Sequence, residues 1–163
     1  MYLQSKFRFW AFLPVGLLLL VTGLLAVVAE KLLSKQNIPS LGISVFLALF
    51  IFVWIWLVFG ELRTKVIKVQ INNSEILVGN FFGMGAKNRY DISQFDGFET
   101  SLLPSKYDTY EYLYLIKNGK KVVKISQFYH RNYTDLKKAV TENIQNLGQR
   151  NFSLLREIKE IFV

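Results

Sequence analysis

Apolar residues are distributed along this chain in three different patterns, and each pattern predicts a different kind of element. From Phe9 to Ala29 the run is unbroken by any charged residue, and a helix of that length reaches about 31 Å, the hydrocarbon thickness of a bilayer. Leu41 to Phe59 is a second charge-free run, about 28 Å long by the same rise. The polar connector Glu30 to Ser40 suits two antiparallel helices. Together they predict a transmembrane hairpin over residues 1–61, with spans at 9–29 and 41–59. A secretory signal is the rival reading of the first run, since Lys6 and Arg8 precede it and Val27-Val28-Ala29 passes for a cleavage site. The run is longer than the roughly 7 to 15 residues of a signal's apolar stretch, so it is read as a span.

After Lys65 the period shortens to two. Ile67, Val69 and Ile71 alternate with Lys68 and Gln70, Asn72-Asn73-Ser74 supplies a turn, and Ile76 to Phe82 returns as a strand closed by Gly83-Met84-Gly85. Further strands fit Lys87 to Ile92 and Phe95 to Ser101, with a loop around Pro104. Tyr110 to Lys117 and Lys120 to Ser126 flank Asn118-Gly119, a pair suited to the positive φ angles of a tight hairpin turn. Counting outward from it pairs Ile116 with Lys121, Tyr114 with Val123 and Tyr112 with Ile125. That register turns the tyrosines inward and Leu113, Leu115, Val122 and Lys124 outward.

The third pattern is helical. Tyr133, Leu136, Val140, Ile144 and Leu147 line one face, Asn132 stands at the N-cap with Asp135 at the capping-box position, and Gly148 supplies the stop. Beyond it, Leu154, Leu155, Ile158, Ile161 and Phe162 define a short amphipathic helix within 149–163, expected to dock on its own domain. The fold class expected is therefore α+β: a two-helix hairpin, an antiparallel sheet or barrel over 62–148 capped by a helix, and the amphipathic tail.

Composition agrees with a membrane protein. Hydrophobic residues make up 52% of the 163, and the mean hydropathy of +0.26 is high for a soluble chain. Net charge is +8, but it is spread out: residues 64–148 hold 12 Lys and Arg against 8 Asp and Glu. No block resembles a nucleic-acid-binding arm, so no nucleic-acid partner is expected. Lys6, Arg8, Arg63, Lys65 and Lys68 flank the outer ends of the hairpin, against Lys31 and Lys35 in the connector. The positive-inside bias therefore puts both termini in the cytoplasm of a cell whose inner membrane holds the hairpin. Trp10, Trp54 and Trp56 suit interfacial anchors, with packing between the helices as the alternative.

Candidate chemistry is sparse. There is no cysteine and one histidine, His130, which lies where the last predicted strand meets the helix. A catalytic or metal-binding His needs partners at a suitable spacing, and none is visible. It is read as a surface or half-buried joint residue. Gly79 to Lys87 lacks the register of a phosphate loop, and no carboxylate pair has general-acid spacing. No catalytic residue, metal ligand or cofactor is expected. Arg63, Lys65, Lys117, Lys120 and Lys121 are the candidate membrane-surface contacts, the last three gathered at the Asn-Gly tip.

The order of about six strands and then a helix, with the run from Ile125 through Asn132-Tyr133 and Leu136 to Val140, resembles the bacterial pleckstrin-homology-like (PH-like) domains that follow a transmembrane pair. The resemblance covers roughly residues 62–148. It implies a bent antiparallel sheet closed by the helix, with binding surfaces in loops or along sheet edges. Phosphoinositide-binding members carry several Lys and Arg in the first inter-strand loop, whereas here that loop is Asn72-Asn73-Ser74-Glu75. The function expected is a membrane-anchored, non-catalytic module that binds a protein partner or a lipid headgroup, with homo-oligomerisation through the hairpin open. The alternative is a small accessory subunit assembled through its hairpin into a larger membrane complex such as a transporter. An enzyme ranks third.

Overall fold

The structure, a computed structural model, describes residues 2–35, 40–104 and 108–153. A short 3-10 turn, Phe9–Phe12, leads into α1 (Leu13–Lys35). The second helix, α2 (Leu41–Ile55), continues as a π-helical segment, Trp56–Leu62. Both helices are long and apolar enough to cross a membrane. The first outruns its expected end at Ala29, because Glu30, Lys31, Leu32 and Leu33 are good helix formers. Apolarity marks where a span would end, not where hydrogen bonding does.

Two four-stranded sheets follow. The first has the order β1-β2-β3-β4, all antiparallel, from β1 (Leu3–Gln4), β2 (Lys68–Ile71), β3 (Glu75–Gly79) and β4 (Lys87–Asp91). The second has the order β7-β6-β5-β8, from β5 (Gly97–Pro104), β6 (Thr109–Lys117), β7 (Lys120–Ser126) and β8 (Asn146–Arg150). In it β8 runs parallel to β5. The helix α3 (Tyr133–Thr141) lies between β7 and β8 in the chain. Ile67, Val69, Ile71, Ile76 and Val78 meet Phe98, Leu113, Leu115, Val123 and Ile125, with Tyr133, Leu136 and Val140 of α3 closing the same core. The class is α+β, and each of the six alternating segments holds a strand, although β3 stops at Gly79, short of the expected Phe82, and β5 runs through Leu102 to Pro104, the place of the expected loop.

The faces of β6 are reversed from the expected ones. Lys117 pairs with Lys120 and Ile116 with Lys121, as counting from the turn requires, but Leu115 then pairs with Val123, Tyr114 with Lys124 and Leu113 with Ile125. A β-bulge at Val122 accounts for the shift, since one extra residue moves everything beyond it to the opposite face. The gain is clear: with the bulge, Leu113, Leu115, Val123 and Ile125 share the core face, and Lys124 leaves it. Tyr112, Tyr114 and Ile116 form a separate buried cluster on the other face, with Leu103 and Phe152 against it.

Three further expectations are corrected. The helix stops at Thr141, where the Asn143 amide donates to Ala139 O at 2.9 Å. Leu147 and Gly148 belong to β8, which uses the open edge of β5. Gly97 admits this strand, for a Cβ there would lie 2.4 Å from Leu147 Cγ. Of the expected tail helix, Gln149 and Arg150 are strand, and 154–163 lie outside the described residues. Asn132 makes no side-chain cap. Its Oδ1 accepts from Lys6 N at 2.7 Å and its Nδ2 donates to Gln4 O at 2.9 Å, so it clamps a strand that the hydropathy pattern did not mark.

Candidate functional site

The residues before the hairpin and those after it are built into one structure. Leu3 and Gln4 pair with Ile71 and Gln70, and Ser5 exchanges two bonds with Val69, N to Val69 O at 2.8 Å and Oγ from Val69 N at 2.9 Å. Arg131 N donates to Lys6 O, and Arg8 N to Tyr129 O. Six residues too polar and too short to register as a strand thus tie both ends of the hairpin to the same domain.

His130 sits inside this joint. It is fully buried, against the expectation of a surface or half-buried residue. Its Nδ1 lies 2.8 Å from Ser126 O and its Nε2 2.9 Å from Ile67 O. The ring therefore spans from the end of β7 to the segment that leaves the hairpin, and it packs 5.5 Å from Phe7. Burial lowers its pKa, and the two carbonyl contacts oppose that shift only in part. Beside it, Glu61 accepts from Lys65 Nζ at 2.6 Å and from Tyr129 OH at 2.7 Å. Burial, followed by the charge and hydrogen bond of Glu61, holds the Tyr129 phenol well above its ordinary range, so it stays a donor. Ala11, Leu62, Val66 and Tyr129 pack around these groups with Phe7, Phe81, Phe82 and Phe128. The π-helical turn carries Glu61 there.

On the other side of Arg63 a cleft of about 300 Å³ opens between the sheets. Arg63 and Thr64 line it from the end of the second apolar helix; Val78, Asn80 and Asn88 come from the first sheet; Tyr114 and Lys121 to Lys124 come from the second. Arg63 is exposed. Lys121 Nζ stands 4.0 Å from the centre of the Tyr114 ring, and Lys124 Nζ 4.5 Å from that of Tyr112. Such contacts hold an ammonium over an aromatic face for about 0.5 to 2 kcal/mol. Among the described residues lining the cleft there are three cations and no carboxylate.

The five basic residues singled out in the sequence go different ways. Arg63 and Lys121 reach the cleft, and Lys65 binds Glu61. Lys117 donates to Gln94 Oε1 at 2.8 Å and lies 5.4 Å from the Tyr90 ring, while Lys120 is exposed beside it. The hairpin tip is also tied down through Gly119 N to Asp96 Oδ2 at 2.8 Å. Lys121 lies on one face of the hairpin and Lys117 and Lys120 on the other, since Lys121 pairs with Ile116 and Lys117 with Lys120. Lys124 was missed, since without the bulge it counts to the wrong face. Trp10 is half exposed, Trp56 packs near Phe52, and Trp54 Nε1 donates across the helix pair to Thr22 Oγ1 at 3.0 Å. That last contact is the between-helix alternative.

No protein family, curated protein or solved structure matches the chain. Among the described residues no cluster of His, Asp and Glu is placed to hold a metal ion.

Proposed function

We propose that this protein is a membrane-anchored, non-catalytic binding module, PH-like in its strand order, that takes the phosphate of an anionic phospholipid headgroup into the cleft beside Arg63. The observation that carries the reading is the convergence of Arg63, Lys121 and Lys124 directly after the second apolar helix. A phosphodiester is an acceptor-only anion. A guanidinium fork and two ammonium groups match it, and the side-chain amides of Asn80 and Asn88 add neutral donors. With the hairpin across the bilayer, Arg63 lies at headgroup depth, where each basic residue gains about 1 kcal/mol from anionic lipid. The positive-inside bias puts this face in the cytoplasm. The site differs from the first-loop site of phosphoinositide-binding PH domains, because Asn72-Asn73-Ser74-Glu75 stays without a basic residue.

The test uses the full chain in a neutral detergent, titrated with short-chain phosphatidylglycerol, short-chain phosphatidylcholine and glycerol phosphate. Phosphatidylglycerol should bind best, weaken with salt, and lose most of its affinity in Arg63→Gln/Lys121→Gln with the circular dichroism spectrum unchanged. Equal binding of the two lipids, or indifference to the double substitution, sinks the reading and leaves a protein ligand as its replacement. Equal binding of glycerol phosphate would make the ligand a soluble phosphate.

A further inference from the structure

The turn between β3 and β4 is conformationally costly and apolar at once. Phe81 and Phe82 both have positive φ, 50° and 58°, and Gly83 follows at 92°. Side chains with a Cβ resist that region, and aromatic ones do so more than Asn. The chain solves the same geometric problem elsewhere with Asn118-Gly119, at φ 52° and 69°. A reversal alone therefore does not explain two phenylalanines here. The surroundings of the turn explain them. The Phe82 ring stacks on Phe12 at 5.0 Å and 17° and meets Phe7 edge-on at 4.9 Å. Phe82 N also donates to Val66 O at 2.8 Å, just beyond the second helix. Phe12 opens the first apolar helix. The turn is thus pinned at the level where that helix begins, and at its tip Met84 is 83% exposed. Phe9, Trp10, Phe12 and Leu13 are exposed around the same level, while Lys68 and Lys87 line the groove behind Gly83.

We infer that the Phe81–Gly85 turn is seated in the lipid surface, with Met84 among the upper acyl chains and Lys68 and Lys87 at the headgroups. Exposed apolar side chains at the helix base, Phe9, Trp10, Phe12 and Leu13, and at the turn, Met84, are bridged by the Phe82–Phe12 stack, and such apolar groups are what a lipid surface covers and water does not. The strain at Phe81 and Phe82 is retained because it holds the Phe82 ring against Phe7 and Phe12, at the start of the first helix. The domain thereby rests on the bilayer at a second point, separate from the helices. This inference depends on the reading of the hairpin as membrane-spanning.

The chain has no cysteine, so single labels can be placed without background. Met84→Cys, Leu24→Cys within the first helix and Lys120→Cys at the Asn-Gly turn each carry an environment-sensitive fluorophore, in the full chain reconstituted into phosphatidylcholine–phosphatidylglycerol vesicles. The Met84 label should emit to the blue of the Lys120 label and be quenched by shallow lipid-borne quenchers, with the Leu24 label quenched by deep ones. If the Leu24 label is lipid-quenched while the Met84 label matches Lys120 in water-like emission, the seated turn is wrong and the spanning hairpin stands. If the Leu24 label is also water-like, the spanning reading fails and the seated turn with it.

Discussion

The sheet core and the hairpin joint are both buried, yet they are built in different ways. In the core, Val69, Leu113, Leu115, Ile125 and Leu136 are almost inaccessible and nothing but apolar. Their contribution scales with area and shape, and any well-packed set of similar volume would serve. In the joint, His130, Glu61, Lys65 and Tyr129 make polar contacts with fixed partners. A core can be repacked; a joint of this kind loses a specific partner and leaves the other group stranded. The difference teaches that the domain's stability and its attachment to the hairpin have separate chemical origins.

Leu113→Ala should give the largest loss, about 3 kcal/mol from lost burial and the cavity left behind, read from denaturant unfolding of the full chain. The loss should be the same at pH 7 and pH 5, since the core around Leu113 holds apolar side chains and tyrosines, none of which titrates in that range. His130→Ala should cost about 2 kcal/mol, from emptying a buried site and removing the one ring N–H that the neutral imidazole can donate to either Ile67 O or Ser126 O; a cost under 0.5 kcal/mol, the scale of a surface change, would erase the distinction between joint and core.

Acid separates the two regions more sharply. A folded-state pKa held below the ordinary value near 6.5 means the unfolded chain binds the His130 proton first. The stability this group contributes is complete above about pH 6.5 and falls as pH drops through that value toward the folded pKa. Midpoints measured from pH 7.5 to 5 should decline in the parent and decline less in His130→Gln. Equal slopes would place the acid sensitivity elsewhere.

Two smaller effects sharpen the comparison within the joint. Tyr129→Phe should cost about 1 kcal/mol by removing the bond to Glu61. Asn132→Ala should cost a similar amount, but with a different signature: faster amide exchange at Ser5 and Lys6, where the clamp is lost, and little change within α3. Faster exchange confined to the first turn of α3 would restore the cap that the sequence pattern suggests.

Much of this arrangement was legible because it is local. The two apolar helices, the six alternating strands, the Asn118-Gly119 reversal and the buried face of Tyr133, Leu136 and Val140 follow from spacing that each segment carries within itself. The bulge at Val122 was not legible, since counting from the turn gives a regular ladder, and only the need to bring Leu113, Leu115, Val123 and Ile125 to one core selects the shifted one. The cleft was half legible. Arg63 and Lys121 stood out as basic residues, but the gathering of Lys124, Asn80 and Asn88 around them depends on two sheets meeting.

By itself the sequence determined the two apolar helices, the six strands from Lys68 to Ser126, where the tight turn falls, and that no obvious catalytic or metal-binding pattern is present, but neither β1 nor β8. These follow from period and composition, which act over a few residues. Only the tertiary structure decided that Leu3 to Arg8 joins the domain across the hairpin, that Asn132 clamps a strand instead of capping a helix, and that His130 is buried. Each of those outcomes depends on a partner more than sixty residues away, or on the closure of a core around it. A buried hydrogen bond is decided by whichever donor and acceptor the fold brings within 3 Å, and no spacing along the chain encodes that distance.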